Sequence, residues 1–388
     1  MTSKLPVVIA GAGIGGLTLA ITLARRGIDT VVLERAPELL SIGAGIQLSP
    51  NAGHVLAALG LLPAIDEHAV HLQSVHMVDG TTGRSLATIP LGESALRRWG
   101  MEFRALYRGD LQTVLLDAAR ESGARILLGH EVKEFAEGVD RVVIHFSRDG
   151  AEDTMPAAVL VGADGIRSAV RQELGPVAPL HPSGTMAWRA TLPFDAPPET
   201  GLWLGPKTHL VSYPVSRGKL LNVVAITHGT LPEGAGWSLP GRREDLLAAF
   251  SAWQPSLRAL LERCTDWQVW PLMDRSPDIF WGRGHVTLLG DAAHPMLPHL
   301  AQGAAMAIED AYVLARHLTA DSTDIPARLR AYEHERQKRT AQAQAQSRQQ
   351  GKIYPMSGLA ALARNAVLRR FGATRLQQRM DWIYSYRA

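Results

Sequence analysis

Residues 5–34 read LPVVIAGAGIGGLTLAITLARRGIDTVVLE, and the fold follows from them. LPVVIA is a continuous apolar run, the pattern of a strand buried on both faces of a parallel sheet. GAGIGG occupies 11–16. LTLAITLARRG is helix-forming and closes at Gly27, placed to end a helix in the left-handed region. TVVLE is a second strand and ends in Glu34, with Arg35 after it. Strand, glycines, helix, strand and terminal carboxylate, in that order, make a dinucleotide-binding βαβ unit. Gly11 permits the tight turn, Gly13 lets backbone approach a pyrophosphate, and Gly16 lets helix and strand pack closely. Ile14 and Gly15 complete the loop at the helix start, where backbone N–H groups favour an anion. Glu34 is placed to accept hydrogen bonds from a ribose.

Two later stretches repeat this logic. AAVLVGADGIRS, residues 157–168, is a buried strand ending in Gly162, Asp164 and Gly165, with Ser168 as a helix cap. HVTLLGDAAHPMLPHLAQGAAMAIEDAY spans 285–312. Val286 to Leu289 suit a buried strand, which Gly290 and Asp291 end. Pro295 and Pro298 exclude a regular helix until after Leu300. Gln302 and Gly303 then open an apolar-periodic helix through Ala304, Ile308 and Ala311. Its N-terminus carries unpaired N–H groups and partial positive charge, which suits a ligand that gains negative charge. Taken alone, the stretch reads equally well as a plain strand–loop–helix crossover.

Between these motifs, SIGAGIQLSPNAGHVLAALGL (41–61) has Gly43 and Gly45 for close backbone approach, then a helix from Asn51 to Gly60. LYRGDLQTVLLDAARESG (106–123) reads as a helix capped by Asp110 and closed by Gly123, with Arg108 just outside its positive end. Strands are expected around 125–129, 131–135 and 141–146. Turn signals at Asp79-Gly80 and Thr82-Gly83 make 72–91 a hairpin of a second sheet. From 181 to 275 the composition shifts to short strands, prolines and tryptophans: Trp188, Trp203, Trp237, Trp253, Trp267 and Trp270. This suggests an antiparallel sheet over a pocket. In the hairpin HLVSYPV–SRG–KLLNVVAI, alternation puts His209, Val211, Tyr213 and Val215 on one face. His209 and Tyr213 then stand roughly 13 Å apart along the strand, a gap that an aromatic ligand would span. Ordinary sheet decoration explains His209 as readily. The polar, Arg-rich end holds a QAQAQ run at 342–346 and an apolar stripe at Leu359, Leu362, Ala366 and Val367. That stripe is expected to pack on the body or to make a dimer contact.

The 388 residues suffice for two domains. With 46% hydrophobic and 20% charged residues, the composition is that of a globular protein. A net charge of +3 gives no nucleic-acid arm. Cys264 is the single cysteine, so no intrachain disulfide forms. No signal-peptide pattern and no apolar run long enough to span a bilayer is found. The expected location is cytoplasmic, without stable membrane insertion. No metal is expected.

GAGIGG, GADGIRS and GDAAHP, in that order, resemble the single-component FAD-dependent aromatic hydroxylases with the p-hydroxybenzoate hydroxylase fold. The likeness covers essentially the whole chain. GAGIQLSPN, HLVSYP and PMLPHLAQGAAMAIEDA are more particularly similar to salicylate, 3-hydroxybenzoate and 6-hydroxynicotinate hydroxylases. The resemblance implies that Gly11, Gly13, Ile14, Gly15, Gly16, Glu34 and Arg35 hold the ADP part of FAD, with Gly45, Arg108 and Gln112. It implies that Asp164 and Gly165 serve FAD and NAD(P)H, and that Gly290 and Asp291 meet the ribitol region. Pro295 then lies near the flavin's reactive edge, and Gly303 and Ala304 face the part that becomes anionic. His209, Tyr213 and His299 match active-site His and Tyr residues of the hydroxynicotinate enzymes. Gln47 stands where those enzymes carry His.

The expected fold is therefore α/β. A Rossmann-like FAD-binding domain (1–71, 102–180 and 276–318) is interleaved with an antiparallel-sheet substrate domain (72–101 and 181–275), and C-terminal helices occupy 319–388. The implied activity is an FAD-dependent monooxygenase. It uses NADH or NADPH and O2 to hydroxylate a small phenolic or hydroxypyridine carboxylic acid through a flavin C4a-hydroperoxide. His299 or His209 is the expected base or proton shuttle. Tyr213, His209, Gln47 and Pro295 are the expected substrate contacts, and a homodimer is possible. Two alternatives stay open: another flavin oxidoreductase on the same fold, such as an epoxidase or reductase, and a nucleotide-binding protein without turnover.

Overall fold

A computed structural model describes residues 5–39, 45–175, 178–230, 238–319 and 323–388. Gly43 and Trp237 lie outside the described residues. Five parallel strands stand in the spatial order Val286–Leu288, Val159–Gly162, Val7–Ala10, Thr30–Glu34 and Arg125–Leu128. The three strands that precede the Gly/Asp motifs are neighbours, in register Leu160↔Val286 and Val7↔Val159. Because they are parallel, their motif loops leave from the same sheet edge. Ligands of open α/β sheets bind in that position. The helices Ile14–Ala24 and Gly303–His317 pack on one another beside this edge.

An eight-stranded sheet carries the second half of the molecule. Its order is Leu239–Pro240, Gln268–Asp274, His181–Pro193, Leu220–His228, Thr208–Val215, Glu199–Gly205, Ser74–Asp79, Ser85–Pro90. Among the described residues of this sheet, only the pairing of Glu199–Gly205 with Ser74–Asp79 is parallel, where two distant chain segments meet. Alternation sorts the faces. Leu210 joins Trp188, Trp253 and Trp267 in a core closed by the helices Arg243–Ala249 and Pro255–Arg263. His209, Val211 and Tyr213 face a cavity on the other side. Trp188, Trp203, Trp253 and Trp267 thus lie on the back of the sheet, away from the cavity, whereas Trp270 shares the cavity face with Ala187 and Arg189. A small sheet, Gly45–Leu48, Arg104–Tyr107 and Val70–His71, joins the two halves.

Several local expectations change. The first helix starts at Ile14 and stops at Ala24, and Gly27 (φ +74°) serves the turn that follows. The helix expected near Asp110 begins at Arg108, with Tyr107 at its N-cap and no side-chain cap bond. Asp110 sits inside its first turn, where its charge suits the helix dipole. The strand Ala151–Ala157 joins His130–Glu137 and Val142–Arg148 in a three-stranded meander. The stripe on the helix Gly358–Arg370 does not pack on the body: Leu359 is 84% exposed, Leu362 63% and Val367 48%. Instead, the C-terminal helices dock through other residues: Ile383 is buried beside Met306 and Ala343, and polar groups add to this. Asn365 Nδ2 donates to Asp79 Oδ2 (2.7 Å), Gln377 Nε2 to the Pro90 carbonyl (2.7 Å), and Trp99 Nε1 to Asp381 Oδ1 (2.8 Å).

Candidate active site

A cavity of about 1000 Å³ lies between the motif loops and the eight-stranded sheet. Gly13, Ile14, Gly15, Arg108, Gly165, Gly290, Asp291, Gly303 and Ala304 line one end. Gly45, Gln47, Arg189, Thr200, His209, Tyr213 and His299 line the other, among apolar side chains. The long helix Ile325–Ile353 and the segment after it close a third side with Gln349, Gln350, Tyr354 and Tyr384.

At the motif end, backbone geometry explains the glycines. A Cβ on Gly16 would stand 2.1 Å from the Gly11 carbonyl oxygen, whereas one on Gly13 would meet nothing within 4 Å. Gly16 is thus required by packing, and Gly13 opens onto ligand space. Glu34 accepts from the Ala12 N–H (2.8 Å) and the Ala36 N–H (2.9 Å), and Gln112 Nε2 donates to the Ala12 carbonyl (3.0 Å). These two side chains hold the loop in shape, and the half-buried Glu34 lies beyond the residues that line this cavity. Asp164 Oδ2 accepts from the Ala169 N–H (2.7 Å), while its Oδ1 is buried without a partner. Burial pushes the Asp164 carboxyl up. Asp291 lines the cavity; loss of hydration among the surrounding groups pushes its carboxyl up, against the pull of His294 and Arg108. The helix Gly303–His317 has no side-chain cap, so its first N–H groups face the cavity unscreened.

At the apolar end, the ring centroids of His209 and His299 are 5.1 Å apart, and Tyr354 stands 5.2 Å from His209. Each imidazole has a buried, unpartnered Nδ1. Burial lowers the pKa of His299 to about 4, and burial together with His299 lowers that of His209 well below the usual value. Both rings are therefore neutral at pH 7. Tyr213 is 6% exposed, and burial raises its pKa while Arg189 opposes the shift. Gly45 makes room for this phenol: a Cβ there would lie 2.6 Å from Tyr213 Cε2. Gln47 Nε2 donates to Thr200 Oγ1 (3.2 Å), which fixes the amide in the wall. Pro295 is buried behind the wall, and its carbonyl accepts from Gln344 Nε2 (2.8 Å).

Behind the loop 290–302 lies a buried ionic network. Glu309, Asp310 and Arg336 are each 0% exposed. Arg336 Nε donates to Asp310 Oδ1 (2.7 Å), and Asp310 Oδ2 accepts from His294 Nε2 (2.5 Å) and the Gly290 N–H (3.0 Å). Burial alone would raise the Asp310 carboxyl, yet His294 and Arg336 hold it at about 2. Glu309 accepts from Asn51 Nδ2 (2.6 Å), which also donates to Gln302 Oε1 (3.1 Å). The position of Gly290 and Asp291 is thereby tied to a helix 20 residues and more downstream.

The model of the FAD binding domain family matches residues 4–347. The chain is 36% identical to the 3-hydroxybenzoate 6-hydroxylase of Polaromonas naphthalenivorans (strain CJ2), over 99% of its own length and 96% of that protein's. The chain belongs to the FAD-dependent aromatic hydroxylases. It is also 34% identical to the 6-hydroxynicotinate 3-monooxygenase of Bordetella bronchiseptica, over 89% of its own length and 91% of that protein's. Among solved structures it resembles that of Klebsiella pneumoniae HpxO complexed with FAD and uric acid, with a TM-score of 0.87, 28% identity and coverage of 99% and 98%.

The residues of this hydroxylase fit the flavin dinucleotide. The free space over Gly13, the unpartnered Asp164 Oδ1 and the open helix N-terminus at Gly303 offer what a pyrophosphate, hydroxyl groups and an electron-accepting ring need. FAD is its cofactor and a reduced nicotinamide its co-substrate. Among the site residues, sequence reading missed Arg189, whose Nε is buried without a partner and whose guanidinium stands 5.3 Å from the Trp270 ring centroid. A lone arginine inside the strand MAWRATL was the available signal. It also missed Tyr354 and Tyr384, which no local pattern marks.

Proposed function

We propose that this monooxygenase hydroxylates a small aromatic carboxylic acid that carries a phenol or hydroxypyridine ring. The observation that carries this reading is the polar content of the apolar end: two neutral imidazoles and one guanidinium, each with a buried nitrogen that has no protein partner, beside one buried phenol. The names of the relatives, a hydroxybenzoate and a hydroxynicotinate enzyme, support the same class.

In this reading the flavin's phosphates meet the N–H groups of 13–16, its ribose meets Glu34 near Arg35, and Arg108, Gly165 and Asp291 hold its middle. Bound FAD supplies the redox chemistry: reduction by the nicotinamide and activation of O2 for transfer of one oxygen atom. The protein supplies position and proton control. Arg189 pairs with the substrate carboxylate in a water-poor site, where such a bond is strong. Tyr213 donates to the ring oxygen. His299 takes the phenol proton at Nε2, since its Nδ1 is sealed in, and His209 beside it is the alternative base. The low basicity of the imidazole is offset when the anionic substrate arrives beside it. Gln47 borders the ring. The cofactor unit is taken as 1–71, 102–180 and 276–318, and the substrate unit as 72–101 and 181–275. A homodimer is part of the proposal, to be read by sedimentation velocity.

The test is NADH and NADPH oxidation by the flavin-loaded protein over hydroxybenzoates, hydroxynicotinates and carboxylate-free phenols, with mass detection of one added oxygen. Oxygen insertion into an acid is the expected result. Nicotinamide oxidation that gives only hydrogen peroxide with every aromatic acid would overturn the reading.

A further inference from the structure

The loop that carries His299 lacks the means to hold itself. Pro295 and Pro298 contribute no N–H donors, Ala301 is held at φ +52°, and the stretch between short 3₁₀ turns has no regular ladder. One face of the polar helix Ile325–Ile353, continued by Tyr354, runs along it. Gln344 Nε2 donates to the Pro295 carbonyl at 2.8 Å. Ser347 Oγ donates to the Leu297 carbonyl at 2.5 Å. Tyr354 Oη reaches the His299 carbonyl at 3.5 Å, long for a hydrogen bond but in line with the other two. Positions 344, 347, 351 and 354 follow the 3–4–3 spacing of a single helix face. The alternate carbonyls 295, 297 and 299 are thus each met by one side chain of that face.

The fourth member of the face is Gly351. A Cβ on it would lie 2.7 Å from both Cδ2 and Nε2 of the His299 ring. Glycine is a poor choice near the end of a 29-residue helix. Its place here is explained by the imidazole edge that rests on its backbone. Gln344 belongs to the QAQAQ run, which as sequence is only a low-complexity piece of polar helix.

We infer that Gln344, Ser347, Gly351 and Tyr354 are positioning residues that set the His299 imidazole against the substrate. The inference rests on the reading of His299 as the proton-handling group. Gly351→Ala is the sharpest probe, because alanine favours the helix while its methyl group displaces the ring. Turnover is measured with 3-hydroxybenzoate, or with the hydroxypyridine carboxylate if the screen above selects that. For Gly351→Ala, kcat is expected to fall on the order of tenfold or more, as for other small misplacements of a reacting group. The share of nicotinamide oxidation that ends as peroxide rises, the pH profile of kcat/KM shifts, and KM changes less than kcat. FAD content and melting temperature hold or rise. Ser347→Ala gives a smaller change in the same direction.

The decisive comparison is the double variant. In a His299→Ala background there is no ring to displace, so adding Gly351→Ala changes nothing further. If His299→Ala alone keeps wild-type turnover, the proton-handling reading falls. If His299→Ala is impaired but Gly351→Ala is silent on its own, or costs the same factor with and without the imidazole, the positioning inference falls and the catalytic reading stands.

Discussion

His209 and His299 are kept neutral by burial, and this has a sign. Each binds fewer protons folded than unfolded once the pH drops below the ordinary value of 6.5. Their share of stability is therefore complete above about pH 6.5 and is lost as the pH falls towards about 4, the folded value for His299. For His299 the loss is on the order of 2 kcal/mol after allowance for its partial access to the cavity. Melting curves between pH 7.5 and 4.5 should show a steeper decline for wild type than for a His209→Gln, His299→Gln variant. Equal slopes would mean that the rings are not held neutral. Arg189 permits a second expectation at this scale. Arg189→Met should raise KM for a carboxylate substrate on the order of tenfold to a hundredfold, the usual effect of removing one partner of a desolvated charged pair. The same variant should leave KM for a carboxylate-free phenol nearly unchanged. A matching rise for both ligands would assign Arg189 to packing instead.

At the scale of elements, the Glu309–Asp310–Arg336 cluster binds the helix Gly303–His317 to the helix Ile325–Ile353. Arg336→Met leaves the buried Asp310 with His294 alone and Glu309 with Arg339 alone, which should cost about 3–5 kcal/mol. The measurement is the urea midpoint, with FAD retention recorded alongside, because the same network carries Gly290 and Asp291. By contrast, Leu359→Ser with Leu362→Ser should move stability by less than about 0.5 kcal/mol, since both side chains are largely exposed. The motif elements were legible in the sequence because their chemistry is local: even the Glu34 carboxylate and the Ala12 N–H that it accepts from are only 22 residues apart. The helix Ile325–Ile353 was legible as a helix but not as part of the site. Its contacts to the His299 loop span 49 to 55 residues and use Gln and Ser, residues that are equally at home in solvent. The apolar stripe does not pack on the body for the converse reason: periodicity fixes a face, and only the tertiary structure decides what covers it.

For the whole molecule, the sequence gives the two-sheet plan through composition and alternation. Alternation predicts that His209 and Tyr213 share a face, and they do. It does not predict which side of the sheet the tryptophans take, because a sheet has two apolar faces here and either one suits them. Nor does it reveal that the site has three walls, since the third comes from the last sixth of the chain.

This late third wall has a consequence for the order in which the nascent chain becomes a protein. The central strand Val7–Ala10 leaves the ribosome early, but the edge strand Val286–Leu288 that flanks its neighbour emerges late, and Arg336 later still. Until Arg336 and Arg339 arrive, Glu309 faces burial without an arginine and Asp310 with His294 alone, so the helix that bears them gains little by docking. Cofactor capture is thereby deferred until nearly all of the chain has been synthesised. Ribosome-stalled intermediates ending near residue 324 are expected to hold no FAD, whereas release of the whole chain is expected to yield a flavoprotein.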